Sequence, residues 1–468
     1  MVFSSAVFLF LFLPVVFVLS RIVPGIPGKN IFLLIASFLF YAFGEPVYVF
    51  LMLFSTVVNY VAGRLLAVCG KGKDKWVVAA AVVVNLGLLS VFKYTDFFLS
   101  NVNRIFSIEI PLTGIALPVG ISFFTFQGLS YVIDVYRDRA QVAKNFVKLA
   151  LYISFFPQLI AGPIVKYHDV AQQIDHRQTT SALTADGIRR FIVGLSKKLL
   201  IANTVGQMAD AVFTAQVQEL DVRLAWLGAF CYMLQIYFDF SGYSDMAIGL
   251  GRMFGFQFLE NFQYPYISSS IKEFWRRWHI SLSSWFRDYL YIPLGGNRKG
   301  KVRTELNKAL VFFCTGLWHG ASWNFVLWGL WHGVFIILED LLPKGGKIRR
   351  GIVHVITPLI VLLGFVLFRA DTLSDAGLLF TQMFTGFTFT LQSDALLREL
   401  LTSLNVTTLL LGAAFSLPLL PWLRSKIAVW KNAWFVQGAS YVAAGGLFCL
   451  CVMNLAGSEF NPFIYFRF

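Results

Sequence analysis

The chain has 468 residues, of which 57% are hydrophobic and only 14% are charged. Soluble proteins carry about 25% charged residues, so this composition excludes an ordinary cytosolic enzyme, a disordered chain and a disulfide-rich secreted module. Apolar runs recur along nearly the whole length, which predicts that most of the chain lies within a lipid bilayer. Its 39 Lys and Arg against 25 Asp and Glu fit the basic cytoplasmic loops of a membrane protein, without nucleic acid as a partner.

The apolar runs predict eleven or twelve membrane segments. Several are short or contain Pro and Gly, so we expect some to be re-entrant or tilted. The first has no basic region before it and no small-residue cleavage site, which predicts a retained span and not a signal peptide. In chain order the candidates are about 2–20, 31–43, 47–68, 76–92, 115–135, 149–165, 191–213, 224–251, 309–337, 352–368, 407–423 and 439–455.

The loops between these segments predict the orientation of the chain. Basic residues collect at 64–75, 344–350 and 424–431, and cytoplasmic loops are the ones enriched in Lys and Arg. These three loops are therefore expected inside and the N-terminus outside. The acidic stretch 371–405 falls on the opposite side, which agrees with this assignment.

The segment 271–303 differs from the apolar runs because it is rich in Arg, Trp and Tyr and too polar to span. Its aromatic and basic residues alternate, which is typical of a helix lying at the membrane interface. In that arrangement the rings lie at headgroup level and the cations point toward phosphates or water. We therefore expect an interfacial segment here.

One histidine, His319, lies in an apolar segment at membrane depth. Ionisable residues there are costly and are candidates for function. Burial keeps an imidazole neutral, which is the form that a general base needs. Gly316 and Gly320 beside it allow close approach of another helix or of a substrate. The alternative is a structural histidine that bonds a neighbouring helix.

The remaining histidines give weaker signals. His332 lies thirteen residues after His319, about 220° around a continuous helix, so the two would point to different sides. His279 lies in the interfacial segment and is, from its position alone, equally consistent with a surface residue. The other three are interpreted as structural: His168, His176 and His354.

Acidic residues within apolar sequence form a second group of candidates. Asp239 and Asp245 lie in a predicted span together with Tyr237 and Tyr243. They are candidates to orient a histidine, to bind polar substrate atoms, or to pair with Arg276 or Arg277, and internal pairing is the favoured interpretation for at least one of them. Asp134 and Arg137 are interpreted in the same way.

Metal and nucleotide motifs are missing from the sequence. HExxH, GxSxG and GxGxxG do not occur, and the GxxxxGK at 295–301 is followed by Val where magnesium binding needs Ser or Thr. The five cysteines are odd in number, lie in or beside apolar runs and form no CxxC, so we interpret them as small hydrophobic residues. We therefore expect neither a metal site nor a nucleotide loop.

Longer motifs carry a resemblance to a known family. The motifs WRRWH (275–279), WFRDYLYIPLGG (285–296) and LWHGASW (317–323) resemble those of the membrane-bound O-acyltransferases. The start MVFSS, FFPQLIAGPI (155–164), YFDFSGYSDM (237–246) and NPFIYFRF (461–468) resemble the bacterial exopolysaccharide branch of that family. The resemblance covers the whole chain.

The resemblance implies a fold and a set of site residues. The fold is an all-α polytopic membrane protein whose tilted helices form one ring around a central tunnel, with interfacial helices added. It makes 1–468 one domain, with N-terminal helices 1–135, a catalytic core 136–340 and C-terminal helices 341–468. His319 matches the near-invariant histidine of the family, and His279 matches a second one upstream. Weaker candidates for substrate binding are Asn324, Asp239, Tyr237, Tyr243, Arg276 and Arg277.

The resemblance also implies an activity, namely O-acetylation of a secreted exopolysaccharide such as alginate or cellulose. The donor is cytoplasmic acetyl-CoA, used as a substrate with no bound cofactor, and periplasmic acetylation proteins are the expected partners. The place is the bacterial inner membrane, with the N-terminus in the periplasm. The basic segment would attract the phosphates of coenzyme A, or act only as a positive-inside anchor.

Two alternatives remain open at this point. A flippase or exporter of a polysaccharide precursor would involve no covalent step, and its loss would remove total polymer and not the acetyl groups alone. A D-alanyl or peptidoglycan acyltransferase of the same family would use another donor or acceptor.

Overall fold

The computed structural model of the chain describes residues 1–70, 72–216, 219–341, 347–427, 433–457 and 460. All regular secondary structure within these ranges is helical. In chain order the α-helices are α1 (Leu13–Ile22), α2 (Gly25–Ala42), α3 (Tyr48–Val68), α4 (Asp74–Phe106), α5 (Ile121–Tyr136), α6 (Phe146–Ser154), α7 (Phe156–Leu159), α8 (Tyr167–Asp175), α9 (Ser181–Ser196), α10 (Asn203–Thr214), α11 (Val222–Met253), α12 (Ile271–Arg277), α13 (Ile280–Phe286), α14 (Lys301–His319), α15 (Trp323–Leu341), α16 (Lys347–Arg369), α17 (Leu373–Thr385), α18 (Leu391–Leu400), α19 (Ser403–Phe415), α20 (Leu419–Ile427) and α21 (Ala433–Gly457).

Several of these helices are long and apolar enough to cross a membrane, which confirms an all-α polytopic membrane protein. Over the described ranges there are six, or seven if α18 and α19, bent by 69°, form one broken span. The six are Gly25–Ala42, Tyr48–Val68, Asp74–Phe106, Trp323–Leu341, Gly351–Arg369 and Val436–Gly457. Other predicted segments are divided into shorter helices, as 149–165 is between α6 and α7.

Some expectations fall outside the part of the chain that the structure describes. Lys71, Lys344 and Lys431 of the basic loops lie there, as does the C-terminal motif 461–468. The ring and central tunnel implied by the resemblance stay a prediction.

The chain divides into two compact units. The first comprises Met1–Phe191 and Ser244–Glu260, and the second comprises Ile192–Tyr243 and Asn261–Phe468. The first unit buries almost all of α5, whose Asp134 accepts a hydrogen bond from His168 on α8 at 2.7 Å. That bond raises the pKa of His168 above its ordinary value, since it favours the charged imidazole. His168 is therefore ion-paired within the first unit, and its structural role stays a prediction.

In the second unit, the predicted segment 309–337 is two helices and not one. α14 ends at His319 and α15 begins at Trp323, because Gly320 between them is extended, with φ −167° and ψ 155°. The two helices pack with their backbones in contact. A Cβ atom on Gly316 would lie 2.3 Å from the carbonyl oxygen of Phe325, and one on Gly329 would lie 2.3 Å from that of Phe312. The expected close approach at Gly316 is confirmed.

The segment 271–303 also differs from its expected arrangement. It forms two short helices, α12 and α13, and a π-helical turn, Arg287–Tyr291. The rings of Trp275, Trp278 and Trp285 are buried within the protein and do not face outward, whereas Arg276 and Arg287 are exposed. The segment is amphipathic as predicted, but its aromatic side supplies part of the core beneath the site described next.

Candidate active site

Two histidines of the second unit, His279 and His319, lie side by side. Their ring centroids are 6.2 Å apart, with an angle of 65° between the ring planes. His279 is fully buried and His319 is 6% exposed. The sequence places them forty residues apart, so it is the fold that brings the two imidazoles together.

His279 is held in an unusual backbone conformation between α12 and α13. Its φ of 44° and ψ of 52° lie in the left-handed region, which costs a residue with a Cβ atom about 1 kcal/mol or more. This residue ends α12 and lets the chain change direction into α13. The turn directs the imidazole into the core, where Phe240 meets it edge-on at 4.6 Å and Trp318 lies at 5.9 Å.

A residue that the sequence analysis missed, Asn261, anchors this turn. Its side-chain oxygen accepts hydrogen bonds from the backbone N–H of Ser281 at 3.1 Å and from the Ser281 hydroxyl at 2.9 Å. The same oxygen lies 3.3 Å from Nδ1 of His279. The Asn261 backbone carbonyl also accepts from the N–H of Ile280 at 3.0 Å. A lone Asn in a non-helical stretch gives no sequence signal for this role.

His319 lies at the last residue of α14, within a group of aromatic rings. Trp328 approaches its ring at 5.0 Å and Phe368 at 5.2 Å, both edge-on. Its own neighbour Trp318 lies at 4.9 Å. Aromatic walls of this kind exclude water and fix the orientation of the imidazole.

His332 lies closer to this site than the sequence analysis assumed. Its ring is fully buried, stacks on Phe274 at 6.0 Å with an interplanar angle of 6°, and meets Trp328 at 5.2 Å. Since Trp328 also contacts His319, one indole separates the two histidines. The continuous helix on which the 220° separation depended does not exist, because the chain turns at Gly320.

The two carboxylates of α11 are paired inside the protein, which was the favoured interpretation of the sequence. Their partners are not the predicted Arg276 and Arg277. In the second unit Asp239 lies 2.9 Å from Lys198, and both side chains are 2% exposed. In the first unit Asp245 lies 2.6 Å from Arg190, which also pairs with Glu260. Arg277 instead pairs with Glu273 of its own helix at 2.9 Å.

The other candidates lie on α11, α12 and α15. Asn324 is buried at the start of α15, and its amide donates to the carbonyl oxygen of Ala370 at 2.6 Å. The ring of Tyr237 lies 6.3 Å from that of Trp278, the residue before His279. Tyr243 is buried on α11. Arg276 is exposed on α12.

This geometry is suited to transferring an acyl group between two oxygen or sulfur atoms. A buried, uncharged imidazole can take a proton from a hydroxyl. A second imidazole, with its ring centroid 6.2 Å away, can contact the same reacting group. Among the described residues, no group of three or more His, Cys, Asp or Glu is placed to hold a metal ion.

Comparison with known proteins settles the family. The model of the membrane-bound O-acyltransferase family matches residues 32–344, which is more than half of the chain and includes both histidines. The chain belongs to this family. It is therefore an O-acyltransferase and a multi-pass membrane protein.

Several curated proteins are similar to this chain over most of its length. A protein of Azotobacter vinelandii named "Probable alginate O-acetylase AlgI" is 41% identical over the full length of both chains. The peptidoglycan O-acetyltransferase of Helicobacter pylori is 36% identical over 80% of this chain and 78% of its own. The teichoic acid D-alanyltransferase of Bacillus subtilis is 27% identical over 73% of this chain and 89% of its own.

Proposed function

We propose that this membrane-bound O-acyltransferase moves acetyl groups from cytoplasmic acetyl-CoA across the bacterial inner membrane for O-acetylation of a secreted exopolysaccharide, either alginate or cellulose. The observation that carries the proposal is the buried pair of His279 and His319, 6.2 Å apart. The full-length similarity to a protein named as an alginate O-acetylase supports acetyl as the group and a polysaccharide as its destination.

In the proposed reaction His319 is the general base. It takes the proton of the acceptor hydroxyl as that oxygen attacks the thioester carbonyl, and the carbonyl oxygen becomes negatively charged in the tetrahedral intermediate. The carbon–sulfur bond then breaks and the thiolate of coenzyme A takes the proton back from the imidazolium. The products are an acetyl ester and coenzyme A, and the histidine returns to its starting state.

The donor would approach from the basic side of the segment 271–303. Arg276 and Arg287 are exposed there, and Arg298, Lys299 and Lys301 follow on the exposed turn before and into α14. Such cations attract the phosphates of coenzyme A. The competing interpretation, a positive-inside anchor without a ligand, predicts that neutralising them changes orientation and not the apparent affinity for acetyl-CoA.

The acceptor side of the proposal rests on orientation. The basic loops support an N-terminus in the periplasm, because cytoplasmic loops are enriched in Lys and Arg. The acetyl group would leave on that side, to periplasmic polysaccharide-acetylation proteins or to the polymer itself. Asn324, Asp239, Tyr237 and Tyr243 are the proposed residues that position the reactants.

The proposal is tested by His319→Ala, expressed in a strain whose own gene for this protein is deleted. We expect ester-linked acetate on the secreted polymer to fall to the level of the deletion strain, since the base is gone. The amount of polymer and the amount of protein in the membrane stay unchanged. His354→Ala, the same substitution at an exposed histidine of α16, is the control and keeps full acetylation.

The same measurement separates the alternatives. Normal acetylation in the His319→Ala strain would reject the catalytic role. Loss of the polymer itself would favour a flippase or exporter. Loss of D-alanyl or peptidoglycan acetyl esters, with the secreted polymer unaffected, would assign the chain to the activities named for its more distant relatives.

A further inference from the structure

We infer that Asn261 is a positioning residue that holds the proton of His279 on Nδ1, so that Nε2 of His279 accepts a hydrogen bond from a second hydroxyl of the acceptor, beside the one that His319 deprotonates, and does not stabilise the oxyanion. This inference rests on the proposed function and deepens it. Two roles are open to His279, namely binding a hydroxyl of the acceptor and stabilising the oxyanion. They need opposite chemistry, because receiving a hydroxyl needs a lone pair, whereas an oxyanion needs an N–H.

The identity of the Asn261 atom that faces His279 is fixed by its other contacts. An amide oxygen and an amide nitrogen are difficult to tell apart by shape alone. Here the backbone N–H of Ser281 donates to this atom at 3.1 Å. A backbone N–H can donate only to an acceptor, and the –NH₂ group of an amide is a donor. The atom is therefore the oxygen.

This oxygen determines the tautomer of His279. It carries no hydrogen, so in its 3.3 Å contact with Nδ1 the imidazole is the donor. A neutral imidazole has one N–H, and with the proton on Nδ1 the lone pair lies on Nε2. The ring is fully buried and lies against Phe240, Phe262, Trp318 and His319. Burial of this extent disfavours a charged ring.

A second contact, with Ser281, agrees with this tautomer. The Ser281 hydroxyl lies 3.5 Å from Nδ1 and 2.9 Å from the Asn261 oxygen. Because the hydroxyl has a single hydrogen and donates it to Asn261, it can only accept from Nδ1. Both neighbours of Nδ1 therefore require a proton on that nitrogen.

The two histidines therefore have different roles, with His319 as the base and His279 as a residue that binds the acceptor. With its N–H committed to Asn261, a neutral His279 offers only a lone pair to a reactant. It can accept a hydrogen bond from a neighbouring hydroxyl of the acceptor and so orient the reacting hydroxyl toward His319. The negative charge that develops on the carbonyl oxygen must be stabilised by another group.

The inference is tested on the full-length protein, labelled with ¹⁵N-histidine and reconstituted in lipid nanodiscs. Long-range ¹H–¹⁵N spectra show which ring nitrogen carries the proton, and the His279 signals are assigned by their loss in His279→Gln. Acetyl transfer from acetyl-CoA is measured on the same samples. The variants are Asn261→Ala, which removes the acceptor, Asn261→Asp, which keeps one, and Ser281→Ala as a matched control that keeps Asn261.

We expect the proton on Nδ1 in the wild type, in Asn261→Asp and in Ser281→Ala. Asn261→Ala should lose this preference and lower kcat by about tenfold or more, with the KM for acetyl-CoA unchanged, because Asn261 is buried and acts through His279. Asn261→Asp should recover much of that loss, because its carboxylate accepts from the same donors, and the position of the His279 proton separates this role from a purely structural one. Melting temperatures measured in parallel separate misfolding from a change of tautomer.

Two results would overturn the inference: a wild-type His279 with its proton on Nε2, or an Asn261→Ala variant with unchanged tautomer and rate. The proposed function fails differently. If the wild type transfers no acetyl group while its His279 keeps an Asn261-dependent proton on Nδ1, the positioning by Asn261 is supported and the acetyl-transfer proposal is rejected.

Discussion

The ion pair between Lys198 and Asp239 shows how costly a single buried charge is in this protein. Both side chains are 2% exposed, so neither charge is solvated by water. Asp239 precedes Phe240, whose ring touches His279. The pair therefore supports the wall of the candidate site, and its loss affects stability before it affects chemistry.

We predict that Lys198→Met destabilises the protein by about 3 to 5 kcal/mol, because it leaves the Asp239 carboxylate buried without its cation. The double variant Lys198→Met/Asp239→Leu should recover most of that loss, since it removes both charges. The measurement is thermal unfolding of the purified protein in detergent. Lys148→Met is the control, because its pair with Asp175 is about two-fifths exposed and exposed pairs contribute at most about 1 kcal/mol. Equal losses at the two lysines would contradict this account.

The partners of these charges could not be predicted from the sequence. The sequence indicates that Asp239 and Asp245 lie in an apolar helix and need cations, and that is correct. It cannot say which cations, because Lys198 and Arg190 reach them through tertiary packing and not through a helical repeat. Asn261 was missed for the same reason, since it meets His279 and Ser281 only after the chain has turned.

At the scale of the elements, the α14–α15 hairpin sets the position of His319. Gly316 lies one turn before His319 and touches the backbone of α15. The close separation of the two helices therefore fixes the position of the His319 imidazole relative to α15. Hydropathy cannot detect this hairpin, because an apolar run of this length has the same composition whether it is straight or folded back. The break depends on Gly320 and on contacts between Gly316 and Gly329.

We predict that Gly316→Ala and Gly329→Ala each destabilise the protein by about 2 kcal/mol or more, since the added methyl meets backbone that cannot move aside. Acetyl transfer should fall as well, because α14 is displaced. Gly377→Ala is the matched control. This glycine is exposed on α17 with nothing within 4 Å of the added methyl, and alanine is the better helix former. Thermal unfolding that ranks the three variants equally would contradict the close packing.

At the scale of the whole molecule, the bilayer is the solvent of the apolar helices. Val83 lies in the membrane-spanning helix α4, and its side chain is 70% exposed. Many apolar side chains of the other candidate spans are exposed as well. Such a surface is stable only against lipid. The location of the chain in a bilayer could therefore be predicted from its apolar runs, whereas the division into two compact units could not, because it depends on contacts between distant segments.

We predict that Val83→Arg makes the free energy of membrane insertion less favourable by about 3 kcal/mol, because the cation would lie within the hydrocarbon of the bilayer. Ile105→Arg is the matched control on the same helix. It is 72% exposed but lies in the last turn, next to Arg104, where a long cation reaches the interface. The measurement is the fraction of protein that resists alkaline extraction from membranes, and equal fractions for the two variants would place Val83 away from the lipid.

The left-handed backbone at His279 reverses a familiar rule of protein engineering. Glycine is ordinarily the poorer replacement for a side chain, since it leaves the unfolded chain more freedom. At a φ of 44° alanine keeps the steric penalty of the Cβ atom, whereas glycine relieves it. We therefore expect His279→Gly to melt at a higher temperature than His279→Ala, with both inactive. Stability alone would favour glycine at this position, so in the proposed mechanism the imidazole contributes to the chemistry and not to the fold.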